Sequence, residues 1–144
     1  MSKPSRHLAR QAAVQALYQW QLTSQAPGKI EEHFINDHEL KGVDVGYFHE
    51  LVREVPLHQH ELDDHLIPHI DRGINEIDPV ERAILRIGTY ELEFHLEIPY
   101  KVIINEAVEL AKTFGAEHGH KYVNAVLDKV ALKLRAAEIG RLAS

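Results

Sequence analysis

Residues 78–92, which read DPVERAILRIGTYEL, predict the central helix of the fold. The segment opens with the clearest helix start in the chain, because Asp78 can cap the helix, Pro79 suits the first helical position and Glu81 completes a capping-box pattern. Beyond this start, apolar residues fall on nearly every face: Val80, Ile84, Leu85, Ile87, Tyr90 and Leu92. A helix that is apolar all round must be surrounded by other elements, so we expect it at the centre of the fold.

The rest of the chain also shows helical periodicity, with no alternating run long enough for a strand. Pro27-Gly28 is expected to form a turn, and Pro56 to kink or split the helix that Asp44 caps. We therefore predict an all-α fold, a compact bundle of about seven helices forming one domain over residues 1–144. The predicted helical segments are 5–22, 30–40, 45–70, 78–94, 103–114 and 123–134.

The composition indicates a protein of the cytoplasm. The chain of 144 residues contains no cysteine, which excludes disulfides and thiolate metal sites and fits a reducing compartment. Its N-terminus lacks the apolar run of a signal peptide, and no segment approaches the roughly 18 apolar residues that a membrane span needs.

The net charge of −6 is unevenly distributed along the chain. Residues 1–30 contain four basic residues and no acidic one, whereas residues 31–100 contain 17 acidic and five basic residues. This asymmetry favours separate surfaces for separate partners, with the basic end a candidate for polyanions. The alternative is that a few solvated lysines and arginines cluster by chance.

The eleven histidines suggest a metal site, but their spacing argues against one. His60 and His65 are five residues apart, whereas an HExxH motif needs four. His65 and His69 have that spacing, but no glutamate follows His65, and His118 and His120 merely flank Gly119. No activated nucleophile and no phosphate-binding loop is present either. We expect no cofactor, no metal requirement and no catalysis.

Basic residues beside a possible stacking group point to RNA instead. Lys3, Arg6, His7 and Arg10 lie at the chain start and can follow a phosphate backbone. Lys121 and Tyr122 add a charge and an aromatic ring after a turn at residues 115–119, and such rings stack on unpaired bases. The alternative for Tyr122 is that its ring belongs to the core.

Four segments resemble the NusB family of bacterial transcription antitermination factors. They are VQALYQWQL (14–22), DPVERAILRIGTYEL (78–92), IPYKVIINEAVELAKTFGAE (98–117) and HKYVNAVLDK (120–129). They are long, specific and in the order of the family, and they span nearly the whole chain. The resemblance implies an all-α fold of two packed helical subdomains.

The resemblance also implies a function and a set of site residues. Members of the family bind boxA RNA in ribosomal RNA transcripts, pair with the small-subunit ribosomal protein NusE and help RNA polymerase pass terminators. The expected partner-binding residues are Tyr18 and Glu81. The expected RNA-binding residues are Lys3, Arg6, His7, Arg10, His69, His118, Lys121 and Tyr122. His7 and Leu8 interrupt the arginine run that is common in the family, and His69 stands where an aromatic residue is common.

Two other functions stay open at this stage. The first is a stand-alone relative of the NusB-like domain of rRNA cytosine methyltransferases, although an enzyme would need a further C-terminal domain and the chain ends at Ser144. The second is a helical bundle that binds only proteins. The sequence leaves open whether the protein is a monomer or a homodimer.

Overall fold

The computed structural model describes residues 3–37, 40–115 and 118–143, and these residues form an all-α protein. The chain divides into two compact units, Met1–Gln59 and His60–Ser144. Within the described residues there are eight α-helices and no β-strand, which confirms the predicted fold class. The helices are α1 (Arg6–Thr23), α2 (Pro27–Asp37), α3 (Val45–Leu57), α4 (Gln59–Leu66), α5 (Pro79–Phe94), α6 (Tyr100–Phe114), α7 (Gly119–Leu134) and α8 (Ala136–Ala143).

In the first unit, α1, α2 and α3 pack against one another around an apolar core. Leu17, Ile30 and Phe48 come from the three helices and are fully buried. The rings of Phe34 and Phe48 lie 5.9 Å apart between centroids, so α2 and α3 also make an aromatic contact.

The sequence predicts that α2 and α3 exist, but it predicts their boundaries less accurately. Pro27 is the first residue of α2 and not part of a turn, because a proline lacks only the amide proton that a first helical residue leaves unpaired anyway. The predicted end of α2 at residue 40 passes through residues 38 and 39, which lie outside the described residues. The break near Pro56 is confirmed, but α3 continues through Pro56 to Leu57 and the chain turns at His58.

In the second unit, α5 packs against α6 and α7, and α6 packs against α7. Helix α5 is buried along nearly its whole length, as its all-round apolar pattern predicts. Gly88 lies where α5 and α7 pack tightly, since a Cβ at this position would be 2.7 Å from Leu127 Cδ1. The short α8, which the sequence does not predict, follows α7 after a break at Arg135.

Both ends of α5 have hydrogen-bond partners inside the second unit. Asp78 caps the helix by accepting hydrogen bonds from the backbone amides of Val80 (2.9 Å) and Glu81 (3.3 Å). At the other end, Arg135 donates to the backbone oxygens of Glu91, Leu92, His95 and Ile98 at 2.8 to 3.3 Å. One buried guanidinium therefore satisfies carbonyl groups that the end of a helix leaves unpaired.

A buried ion pair joins α4 to α5. Arg86 donates from Nε and Nη2 to the two carboxylate oxygens of Asp63, both at 2.9 Å, and both residues are buried. Such a fork geometry is the strongest arrangement of a charged hydrogen bond.

None of the helices in residues 3–37, 40–115 and 118–143 is long and apolar enough to span a lipid bilayer.

We expect Asp63→Ala to lower the free energy of unfolding by about 3–5 kcal/mol, because it leaves the buried Arg86 without its counter-charge. Urea denaturation measures the loss. The neighbouring Asp64 faces solvent and pairs with His60 at 3.6 Å, so Asp64→Ala is a matched control that should cost less than about 1 kcal/mol. Equal losses for the two variants would contradict the structural role of the Asp63–Arg86 pair.

Candidate functional site

Three of the four predicted basic residues at the chain start are exposed. Lys3, Arg6 and His7 face solvent, and we call these residues together with Arg10 the N-terminal basic cluster. Arg10 is buried, with only 4% of its surface exposed. Its guanidinium therefore offers little surface to a phosphate in this conformation.

The position of this cluster is set by two helix starts that are joined to each other. Ser5 caps α1 by accepting from the backbone amide of Leu8, and Asp44 caps α3 in the same way through Tyr47. The Ser5 amide donates to the Gly42 oxygen at 2.7 Å, and the Asp44 amide donates to the Ser5 oxygen at 3.1 Å. Gly42 has a φ of +79°, which favours a residue without a side chain. The chain start is therefore held beside the start of α3.

The ring of Tyr47 contacts two arginines of the N-terminal basic cluster. The Arg6 guanidinium carbon lies 4.3 Å from the centre of the Tyr47 ring, and that of Arg10 lies 5.5 Å from it. A ring face attracts a cation without cancelling its charge, so Arg6 is oriented and still available to an anion. The sequence gives no direct sign of this role, because Tyr47 has the spacing of an ordinary core residue.

The second unit gathers the other predicted residues around the start of α7. The 3-10 turn Ile67–His69 packs against α7, which brings the segment after it close to the first turn of that helix. Residues 116 and 117 of the preceding turn lie outside the described residues. We call the resulting group the α7 cluster: His69, Asp71, Arg72, His118, Lys121 and Tyr122.

Asp71 and Arg72 were not predicted from the sequence, yet they organise the α7 cluster. Arg72 donates to Asp71 from Nε at 2.8 Å and from Nη2 at 3.2 Å, and the Tyr122 hydroxyl donates to the same carboxylate at 3.3 Å. The Arg72 guanidinium carbon also lies 5.1 Å from the centre of the Tyr122 ring. Tyr122 is half-buried, so its ring is neither a core residue nor a free platform.

The charges in this group alter the pKa values of its members. The hydrogen bond from Arg72 lowers the pKa of Asp71, which keeps this carboxylate ionised. Burial, followed by the negative charge of Asp71, raises the pKa of Tyr122, so its hydroxyl stays protonated and able to donate. Lys121 and His118 are exposed beside this group, and α7 has no acidic residue in its first turn.

The two predicted partner-binding residues differ in accessibility. Tyr18 is 38% exposed on α1, whereas Glu81 is 8% exposed. The Glu81 carboxylate lies against Gly119 so closely that any side chain at Gly119 would collide with it. Of the predicted capping box, only the hydrogen bonds that the Asp78 side chain accepts are present in the described residues. Glu81 therefore joins the start of α5 to the start of α7.

The histidine pairs singled out in the sequence do not form a metal site with each other. His69 lies in the 3-10 turn after α4 has ended at Leu66, so His65 and His69 do not share one helix face. Within the described residues, the group with metal-ligand geometry is Glu61, His65 and Glu93.

Fold and surface chemistry together define an all-α protein with two cation-bearing surfaces, each at the start of a helix, of the kind that polyanion-binding proteins have. The chain belongs to the NusB family, whose sequence profile matches residues 7–132.

Relatives and solved structures agree with this assignment. The chain is 60% identical over 133 residues to the transcription antitermination protein NusB of Nitrosococcus oceani, covering 92% of this chain and 89% of that protein. It superposes on T. maritima NusB with a TM-score of 0.78 at 29% identity, covering 92% and 94% of the two chains. It also matches a crystal structure of antitermination factors NusB and NusE in complex with dsRNA, with a TM-score of 0.79 at 30% identity, covering 87% and 94%.

We expect Glu81→Gln to stabilise the protein more at about pH 7 than at about pH 4, on either side of the usual carboxyl range. Burial, followed by the charge of Asp78, raises the pKa of Glu81 in the folded protein. The folded state thus holds this proton to a higher pH than the unfolded state, and the wild type loses stability as the pH rises up to the raised pKa. Glutamine does not ionise and avoids this loss.

Urea unfolding of both proteins at the two pH values measures the effect. Glu76→Gln removes an exposed carboxylate from the segment before α5 and controls for the change in net charge. Suppose that the wild type and Glu81→Gln differ in free energy of unfolding by the same amount at both pH values. That result would show that the ionised Glu81 carboxylate is not destabilised by its surroundings.

Proposed function

We propose that this protein is a transcription antitermination factor that binds boxA-like RNA together with the ribosomal protein NusE and so helps RNA polymerase pass terminators. The observation that carries the proposal is the match, along nearly the whole chain, to proteins named for transcription antitermination. The solved complex of NusB and NusE with RNA supports the two partners. In this proposal the protein acts in the cytoplasm, by binding and not by catalysis.

The N-terminal basic cluster is suited to contact the RNA backbone. Lys3 and Arg6 are exposed cations, and Arg6 is held in place on the Tyr47 ring before any ligand arrives. Less side-chain entropy is lost when an oriented group binds. The first turn of α1 has no acidic residue, so the positive end of the helix dipole adds to the attraction for phosphate.

The α7 cluster supplies a different kind of contact. Asp71 holds Arg72 by two hydrogen bonds, and Arg72 in turn lies over the Tyr122 ring. A fixed guanidinium plane next to an aromatic ring can stack on an unpaired base, while Lys121 meets a neighbouring phosphate. We therefore add Arg72 to the RNA-binding residues predicted from the sequence and assign Asp71 the role of orienting it.

Tyr18 and Glu81 remain the proposed partner-binding residues, with different roles. Tyr18 offers an exposed ring and hydroxyl that a partner can cover directly. Glu81 is largely covered by Gly119, so we propose that it acts mainly by fixing the surface around the starts of α5 and α7. The many acidic residues between 31 and 100 favour a basic partner, as a ribosomal protein is expected to be.

We expect Arg6→Ala to weaken binding to a boxA-like single-stranded RNA and to reduce the slope of log K against log salt by about 0.7, the value for one lost phosphate contact. Arg72→Ala removes a stacking group, so it should weaken binding with a smaller change in the slope. Fluorescence anisotropy at several salt concentrations measures both quantities. Arg10→Ala should change the slope less, since Arg10 is buried.

Lys29→Ala is the matched control for this experiment. Lys29 is an exposed lysine on α2 that pairs with Glu32 at 3.9 Å, and its removal changes the net charge by the same amount. If Lys29→Ala reduced the slope as much as Arg6→Ala, the N-terminal basic cluster would not be a specific site. A scrambled RNA and a double-stranded RNA tested in parallel distinguish boxA recognition from general polyanion binding. Equal affinity for all three RNAs would contradict the proposed function.

We expect the protein to bind boxA-like RNA weakly alone and more tightly with NusE. Few exposed cations form the N-terminal basic cluster, so counterion release contributes little, and a basic partner brings contacts of its own. The coupling free energy between RNA binding and NusE binding should be on the order of 1–3 kcal/mol. Because this coupling is reciprocal, RNA must increase the affinity for NusE by the same factor as NusE increases the affinity for RNA. Calorimetric titration of RNA with and without saturating NusE, and of NusE with and without RNA, measures both sides. Equal RNA affinities in the two states would rule out cooperative binding.

A further inference from the structure

Three potential metal ligands converge between α4 and α5 in the second unit. Glu61 and His65 are four residues apart on α4 and therefore point to the same side of that helix. Glu93 comes from the last turns of α5. One ligand atom from each of the three side chains lies within 4.8 Å of the other two, and His65 Nε2 is 3.3 Å from Glu93 Oε1.

Glu93 carries a buried oxygen that points into this group. Its side chain is 19% exposed, and its Oε1 atom has no accessible surface and no well-directed hydrogen bond within the described residues. Buried carboxylate oxygens are nearly always paired, so an oxygen that faces His65 at 3.3 Å without hydrogen-bonding geometry is suited to bind a cation.

We propose that Glu61, His65 and Glu93 form a binding site for one divalent transition-metal ion, with Zn²⁺ as the representative ion. An imidazole nitrogen with two carboxylate oxygens is a ligand set that suits Zn²⁺ and leaves a fourth position for water. Metal–ligand bonds of about 2.0–2.2 Å in a tetrahedron separate the ligand atoms by about 3.3 Å. His65 and Glu93 already have this separation, and the ligand atom of Glu61 lies within 4.8 Å of both.

The ion would strengthen a connection that already exists. The Asp63–Arg86 pair joins α4 to α5 without a metal, so the site adds stability and the fold does not depend on it. The sequence analysis singled out His65 as a possible metal ligand. Glu93, the third ligand of the proposed site, lies on another helix, and no spacing motif connects it to His65.

Cobalt titration of the full chain, after treatment with a chelator and its removal, tests the proposal. Co²⁺ replaces Zn²⁺ in such sites and gives visible absorption that reports its coordination. We expect one Co²⁺ per chain with the absorption of a four-coordinate site, displaced by Zn²⁺ but not by excess Mg²⁺, which prefers oxygen ligands only. His65→Gln and Glu93→Gln should each weaken binding at least about tenfold, the lower limit seen even for residues that only support a ligand.

His60→Gln is the matched control. His60 also lies on α4 and pairs with the acid four residues later, Asp64, at 3.6 Å. This pair is exposed, and it is not part of a three-ligand group among the described residues. We expect His60→Gln to bind Co²⁺ as the wild type does. Binding that survives both His65→Gln and Glu93→Gln, or that is lost equally in His60→Gln, would overturn the proposal. If His65→Gln failed to fold by circular dichroism, the nearly isosteric Glu93→Gln decides the test alone.

Discussion

The burial of α5 on all sides is the constraint on which the rest of the second unit depends. A helix surrounded by protein must satisfy its polar groups without water, because an unpaired buried group costs more than a hydrogen bond gains. Three arginines meet part of this requirement. Arg86 forms the pair with Asp63 of α4, Arg82 points to the backbone oxygens of Ile74, Asn75 and Ile77, and Arg135 covers the carbonyl end of the helix.

The same contacts place the α7 cluster. The segment that Arg82 holds against α5 follows directly after Asp71 and Arg72, so the position of these two residues is linked to the central helix. Glu81 joins the start of α5 to Gly119, the first residue of α7, and Tyr122 lies one turn further along. A binding surface built on helix starts in this way is held more firmly than one on a free loop, which lowers the entropy lost on binding.

The residues of the candidate site differ in how far the sequence predicts them. Lys3, Arg6 and Lys121 are exposed and charged, as an uneven charge distribution near helix starts indicates. Arg10 and Glu81 have the expected residue type but are buried, because a charge pattern does not show which side of a helix the core covers. Tyr47, Asp71 and Arg72 have no signal of their own. Tyr47 contacts Arg6, and Asp71 and Arg72 contact Tyr122, so their roles depend on residues that are distant in sequence.

The sequence alone determined the fold class, the order of most helices and the central place of α5, because periodicity, capping residues and prolines act within a few positions of the chain. It also determined the family, since long strings of residues match in order. The tertiary structure decided which cations face solvent, where Gly88 and Gly119 allow close approach, and that Glu93 meets His65. These features arise between helices, and contacts between helices depend on packing that no local pattern encodes.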